Sequence, residues 1–219
     1  MHYTKQTITS FIHQAGILVY NSKHVDDIKN AVMQYGYDER RLDDGEQVFK
    51  MLKEISFKQH QAKSDKMEKF KLKQDLQSKI HKEYMKYLKI ARIAFAEDFK
   101  ARNVLILDGG RERTYKEWYF QVSVFCSIML KNDDGYQDRM AQYGIEVVKI
   151  EDLRKQLVKL NEVNDECIKS AAELKRLTAQ RKKMVIKMQN YVSDFIKIAR
   201  IALEHSPKAL QSLGVGVNN

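Results

Sequence analysis

In the second half of the chain, apolar residues recur at a spacing of three and four, at 150, 153, 157, 160, 163, 168, 171, 174, 177, 184, 188, 192, 195 and 199. That spacing lines one side of an α-helix. Neither Gly nor Pro interrupts residues 145–206, and a second stretch free of both covers residues 46–108. As one helix of ~55 residues each would span ~80 Å, several times the usual helix length. A break is therefore predicted in each. In the first stretch the apolar stripe lapses over KQHQAKSDK (58–66), where Ser64 and Asp65 have the short polar side chains that start helices. In the second, Ser170 and Glu173 have capping-box spacing. The predicted turns fall near 60–65 and 166–170, so that each stretch folds as a helical hairpin. The alternative is an elongated antiparallel coiled coil of two unbroken helices of ~50 residues.

Shorter helices precede each long stretch, over roughly 4–19 and 24–35 in one case and 114–130 and 133–143 in the other. The second of each pair ends at Gln-Tyr-Gly, where Gly36 or Gly144 can take the left-handed conformation that stops a helix. Asp26-Asp27 and Asp133-Asp134 lie near its start, where carboxylates meet the positive end of the helix dipole. A last short helix has Ser206 as its predicted cap, Pro207 in its first turn and Gly214 at its end. One Pro and nine Gly are too few for the turns of an all-β fold. The fold class is all-α.

The hexapeptide KIARIA occurs at 89–94 and again at 197–202, a shift of 108. The same shift carries Gln34-Tyr35-Gly36 onto Gln142-Tyr143-Gly144, and Leu42-Asp43-Asp44 onto Ile150-Glu151-Asp152. It carries Ile80, Tyr87 and Phe95 onto Met188, Phe195 and Leu203. Before residue 33 the likeness fades. The chain thus reads as a tandem duplication of a ~108-residue helical unit, residues 1–108 and 109–219, with Gly109-Gly110 as the linker. Each repeat is expected to be an up-and-down bundle of about four helices. Within KIARIA the apolar stripe runs through Ala91 to Ala94 and Phe95, widened by Ile90 and Ile93. Lys89 and Arg92, and likewise Lys197 and Arg200, fall on the opposite side as a solvated basic edge.

At 43% hydrophobic and 31% charged, the composition is that of a globular protein with charged helical surfaces. The net charge is +10, with 20 basic and 15 acidic side chains in residues 1–108 and 19 and 14 in residues 109–219. Such a surplus suits acidic partners, nucleic acid among them. Cys126 and Cys167 lack CxxC spacing and have apolar neighbours, which predicts two free, buried thiols. The N-terminal twenty residues are too polar for a secretory signal. The richest apolar run, WYFQVSVFCSIML, falls short of the ~18 residues that a membrane span needs. A cytoplasmic protein without a transmembrane segment is expected.

Sites for chemistry are scarce. A metal-binding bundle needs Glu-x-x-His pairs, and none occurs; none of the six histidines has a histidine 108 positions away. No Gly-rich phosphate loop or GxSxG is present. No catalytic, cofactor or metal site is expected. The cations retained between repeats, Lys73 with Arg181, Lys79 with Lys187, Lys89 with Lys197 and Arg92 with Arg200, are candidate anion or partner contacts. These features favour a non-catalytic protein-interaction or scaffold module that binds another protein or self-associates. The alternatives are a nucleic-acid binder using its Lys/Arg-rich helices and a ligand-binding or enzymatic bundle.

Overall fold

The computed structural model describes residues 7–131 and 134–214. They form eight α-helices and no strand: α1 Ile8–His24, α2 Asp26–Met33, α3 Glu39–Ala94, α4 Phe99–Val104, α5 Tyr115–Lys131, α6 Tyr136–Ala141, α7 Val147–Ala202 and α8 Pro207–Ser212. The predicted helix over 4–19 begins partly outside the described residues, as does the Asp133 of the second short helix. Thr7 starts α1, its Oγ1 accepting the Ser10 N–H at 3.2 Å. Gly36 and Gly144 have φ of 83° and 76°, the left-handed turn that Gln-Tyr-Gly requires.

The predicted hairpins do not form. α3 and α7 are unbroken helices of 56 residues each. Around residue 62 the polar stretch still supplies one apolar contact, Ala62, which is buried. The presumed capping box does other work. The Ser170 hydroxyl donates to the Cys167 carbonyl at 3.0 Å, inside the helix, and Glu173 pairs with Arg176 at 2.6 Å. A hydroxyl that bonds back within its own helix leaves no reason for the helix to stop there. Similarly Ser206 makes no side-chain cap to α8, whereas Asp98 caps α4 by accepting the Ala101 N–H at 2.9 Å.

The chain forms two compact units. The first contains α1, α2, residues 39–64 of α3, residues 172–202 of α7, and α8. The second contains residues 65–94 of α3, α4, α5, α6, and residues 147–171 of α7. In both, α3 and α7 run antiparallel, an early part of one against a late part of the other. The compact units therefore cut across the expected division at 108/109. Each joins helices from one side of that division to helices from the other.

In the first unit α1 buries Phe11, Ala15, Leu18, Val19 and Ser22, against Leu42 and Leu52 of α3 and Met188, Val192, Phe195 and Ala199 of α7. Tyr37 meets the edge of Phe195 at 5.0 Å between ring centroids. In the second, α5 buries Trp118, Val122, Phe125, Cys126 and Met129, against Ile80, Tyr84, Leu88 and Ala91 of α3 and Ile150, Leu153 and Leu160 of α7. Each such large apolar side chain contributes ~1.5–3 kcal/mol on burial. The five buried positions of α1 each have a buried counterpart in α5 at a shift of 107, α5 burying Gln121 in addition, and α3 with α7 and α4 with α8 correspond at both ends at a shift of 108. The shift is 107 for α1 with α5 and 108 for α3 with α7, so a constant shift of 108 loses the likeness before residue 33.

Gly45 sits inside α3 for a packing reason. A Cβ there would lie 2.1 Å from Cζ of Tyr191 on α7, and Tyr191 is stacked on Phe195 at 6.2 Å. The ring occupies the space that any other residue would fill. Gly45→Ala gains ~1 kcal/mol of helix propensity but overpacks this contact by ~1–3 kcal/mol. The expected net result is lower stability in denaturant-induced unfolding. A stabilised variant would show that Tyr191 yields freely.

Candidate functional site on the basic helix faces

Residues 65–94 of α3 hold nine basic and four acidic side chains, and residues 172–202 of α7 hold eight and two. The other 158 residues hold 22 basic and 23 acidic. The whole positive excess thus resides on the late parts of the two long helices. The early parts are close to neutral, with six basic and five acidic in residues 39–64 and five of each in residues 147–171. An even split between residues 1–108 and 109–219 conceals a sharp segregation within each half.

The eight candidate cations divide into two groups. Three are structural. Lys73 donates to Asn164 Oδ1 at 2.7 Å, with its ammonium 4.2 Å from the Tyr115 ring centroid. Arg181 donates to Gln59 Oε1 at 2.9 Å. Arg92, expected to be solvated, instead donates from Nε to the Leu107 carbonyl at 2.7 Å and from Nη2 to Gly109 O at 3.2 Å. Arg111 adds bonds to Ile106 O at 3.0 Å and to the buried Tyr84 hydroxyl at 2.9 Å. These two guanidiniums hold the α4–α5 connection around Ile106, whose φ of 51° is costly for a β-branched residue.

The other five, Lys79, Lys89, Lys187, Lys197 and Arg200, are exposed. Lys197 is paired with Asp194 at 3.1 Å. Ile93 and Ile201 do not widen the buried stripe; they are 64% and 52% exposed. Arg92→Gln should therefore cost ~1.5–3 kcal/mol, the value of charge-assisted hydrogen bonds. Arg200→Gln should stay within ~0.5 kcal/mol. Chemical denaturation of the two variants side by side checks this, and equal effects would remove the structural role of Arg92.

The exposed side of α3 in the second unit carries the most coherent array. Lys79, Lys82, Lys86 and Lys89 are all exposed and follow an i, i+3, i+7, i+10 spacing, which places them on one face. Between Leu76 and Ala96 the sole acid is Glu83. Its carboxylate is turned away, accepting from the Tyr87 hydroxyl at 2.6 Å and from Gln156 Nε2 at 3.1 Å. Lys82 and Lys86 escaped the sequence comparison because Asn190 and Asp194 stand at the matching positions of the other repeat. The helical spacing was the signal that could have found them. On α7, Lys175, Lys182, Lys183 and Lys187 are likewise exposed. Lys183 and Lys187 border a shallow depression of about 390 Å³ floored by Met51, Ile55 and Met184.

Titratable groups elsewhere serve packing and ion pairing. Lys23 of α1 bridges Asp43 and Glu46 of α3 at 2.6 and 2.7 Å. Hydrogen bonds from Lys23 and then Lys50 hold the Glu46 carboxyl at about 2. Such a depressed carboxylate contributes stability above its ordinary value of 4.5, and the contribution is lost as the pH falls through about 2. Lys23→Gln should raise the Glu46 midpoint toward 4.5 in a carboxyl NMR titration; an unmoved midpoint would exclude Lys23 as the cause. Both cysteines are free, Cys126 buried and Cys167, contrary to expectation, only half-buried. Burial pushes the Cys126 thiol up to about 12, which leaves it protonated and inert.

Among the described residues no three His, Cys, Asp or Glu side chains are grouped so as to hold a metal ion, and no helix is long and apolar enough to cross a membrane. No protein-family model, curated protein or solved structure matches the chain.

Proposed function

We propose that the protein is a non-catalytic interaction module for acidic macromolecular partners, built by tandem duplication of a ~108-residue helical unit. The concentration of the entire net charge on the late parts of α3 and α7 carries this reading. Most cations of both late parts, Lys73, Arg92 and Arg181 being exceptions, are exposed, while the apolar side of each helix is committed to packing. Like charges gathered on a rigid face repel one another, and an oppositely charged partner relieves that repulsion. The duplication is supported by the matching bounds of α3 with α7 and of α4 with α8, and by the matching burial of α1 and α5. It supplies a basic face from each repeat. The two free thiols suit a cytoplasmic location.

The test is retention of the full-length protein on immobilised heparin and on immobilised polyglutamate. Retention on at least one at ~0.1 M salt, where surface charges still interact over about a Debye length of 10 Å, is the expected outcome. Lys175→Gln, Lys182→Gln and Lys183→Gln combined should bring elution to lower salt. Passage through both columns without delay at that salt would end this reading.

A further inference from the structure

The lysine face of α3 in the second unit points to a specific kind of acidic partner. We propose that Lys79, Lys82, Lys86 and Lys89 dock the sugar–phosphate backbone of double-stranded nucleic acid without reading its sequence. The inference rests on the interaction-module reading and names the partner class for one of its faces.

The dimensions agree. The four lysines span ten residues, ~15 Å along the helix. A strand of duplex DNA presents a phosphate every ~3.4 Å along its axis, so a stretch of that length offers about four or five phosphates. The stripe is bounded by Asp75 one turn before it and by Ile93 one turn after it. Between these limits the exposed face bears no anion, since Glu83 is engaged with Tyr87 and Gln156.

The residue types decide between partners. Contact surfaces for proteins are depleted of lysine at their centres and anchored by aromatic residues or arginine. Here the face is lysine, and the aromatic residues of the same segment, Tyr84 and Tyr87, are buried. A peripheral membrane helix inserts its apolar side into the lipid. The apolar side of this segment, Ile80, Tyr84, Leu88 and Ala91, is fully buried in the core of its own unit. Lysines acting as point charges, without the fork geometry that arginine uses on guanine, suit backbone contact rather than base readout.

The experiment uses the full-length protein and a labelled 24-base-pair DNA duplex, with binding followed by fluorescence anisotropy between ~50 and ~200 mM salt. Two duplexes of unrelated sequence should bind alike. The Lys79→Gln, Lys82→Gln, Lys86→Gln, Lys89→Gln variant should lower the magnitude of the log K against log salt slope by about 3–4, and Lys86→Gln alone by about 1. The corresponding quadruple Arg variant should keep the slope, and circular dichroism should show all variants folded, because the four side chains are exposed.

An unchanged slope in the folded quadruple Gln variant would overturn the proposal, as would a strong preference for one of the two sequences. So would binding to polyglutamate, or to vesicles containing phosphatidylserine, without binding to the duplex. That last outcome would leave the interaction-module reading standing, whereas failure to bind any of the polyanions would end both.

Discussion

A 56-residue amphipathic helix buries apolar side chains near both of its ends, Leu42 and Leu52 at one and Ile80, Tyr84, Leu88 and Ala91 at the other, and the short helices packed at one end cannot serve the other. α1 has 17 residues and α2 has eight. Helices in water owe their stability to tertiary packing of one face more than to propensity. The apolar positions at the two ends of α3 need partners that match them, and α7 supplies partners in both compact units. Antiparallel pairing of the two follows, and the composition of both compact units follows from the pairing. Breaking each helix into a hairpin would have exposed four orphan N–H and four orphan C=O groups at each new pair of ends.

The same pairing fixes which side of each long helix meets water. Ile80, Tyr84, Leu88 and Ala91 lock the rotation of α3 in the second unit, and that rotation alone turns Lys79, Lys82, Lys86 and Lys89 outward. The lysines need no support of their own. Lys73 and Arg181 show the opposite case: cations close to the α3–α7 seam become part of it, through Asn164 and Gln59. Whether a lysine is scaffold or surface is decided by a rotation of about one residue on the wheel.

Much of this was legible in the sequence, and the failures are specific. Gln-Tyr-Gly marked two helix ends because only a left-handed residue can follow there, a local rule that packing does not override. The three-and-four spacing gave the helices but not their continuity. Ser64-Asp65 and Ser170…Glu173 carry helix-start chemistry, yet that chemistry is permissive, and the facing helix decided against it. Gly45 lay outside the predicted long helix because its reason for being Gly, the Tyr191 ring, is 146 positions away. Arg92 resembled Arg200 in every neighbour of its hexapeptide. Its different role comes from the connection at 105–111, a segment whose counterpart after α8 has a different sequence. A shift of 108 pairs seam cations such as Lys73 and Arg181 and surface ones such as Lys79 and Lys187 alike, and it passes over Lys82 and Lys86, which fall opposite Asn190 and Asp194.

The charge segregation also bears on why the pairing is antiparallel. Two long amphipathic helices of similar pattern could in principle align in either sense. A parallel alignment would set the late part of α3, with a net charge of +5, beside the late part of α7, at +6. The antiparallel alignment sets each of them beside a near-neutral early part, at 0 and +1 respectively. Concentrating like charge along one helix pair opposes association, so the distribution of charge favours the antiparallel sense over the parallel one. One distribution of charge then serves both specificity of folding and the display of basic surface. Moving lysines from the late to the early part of either helix, at constant net charge, would weaken both together.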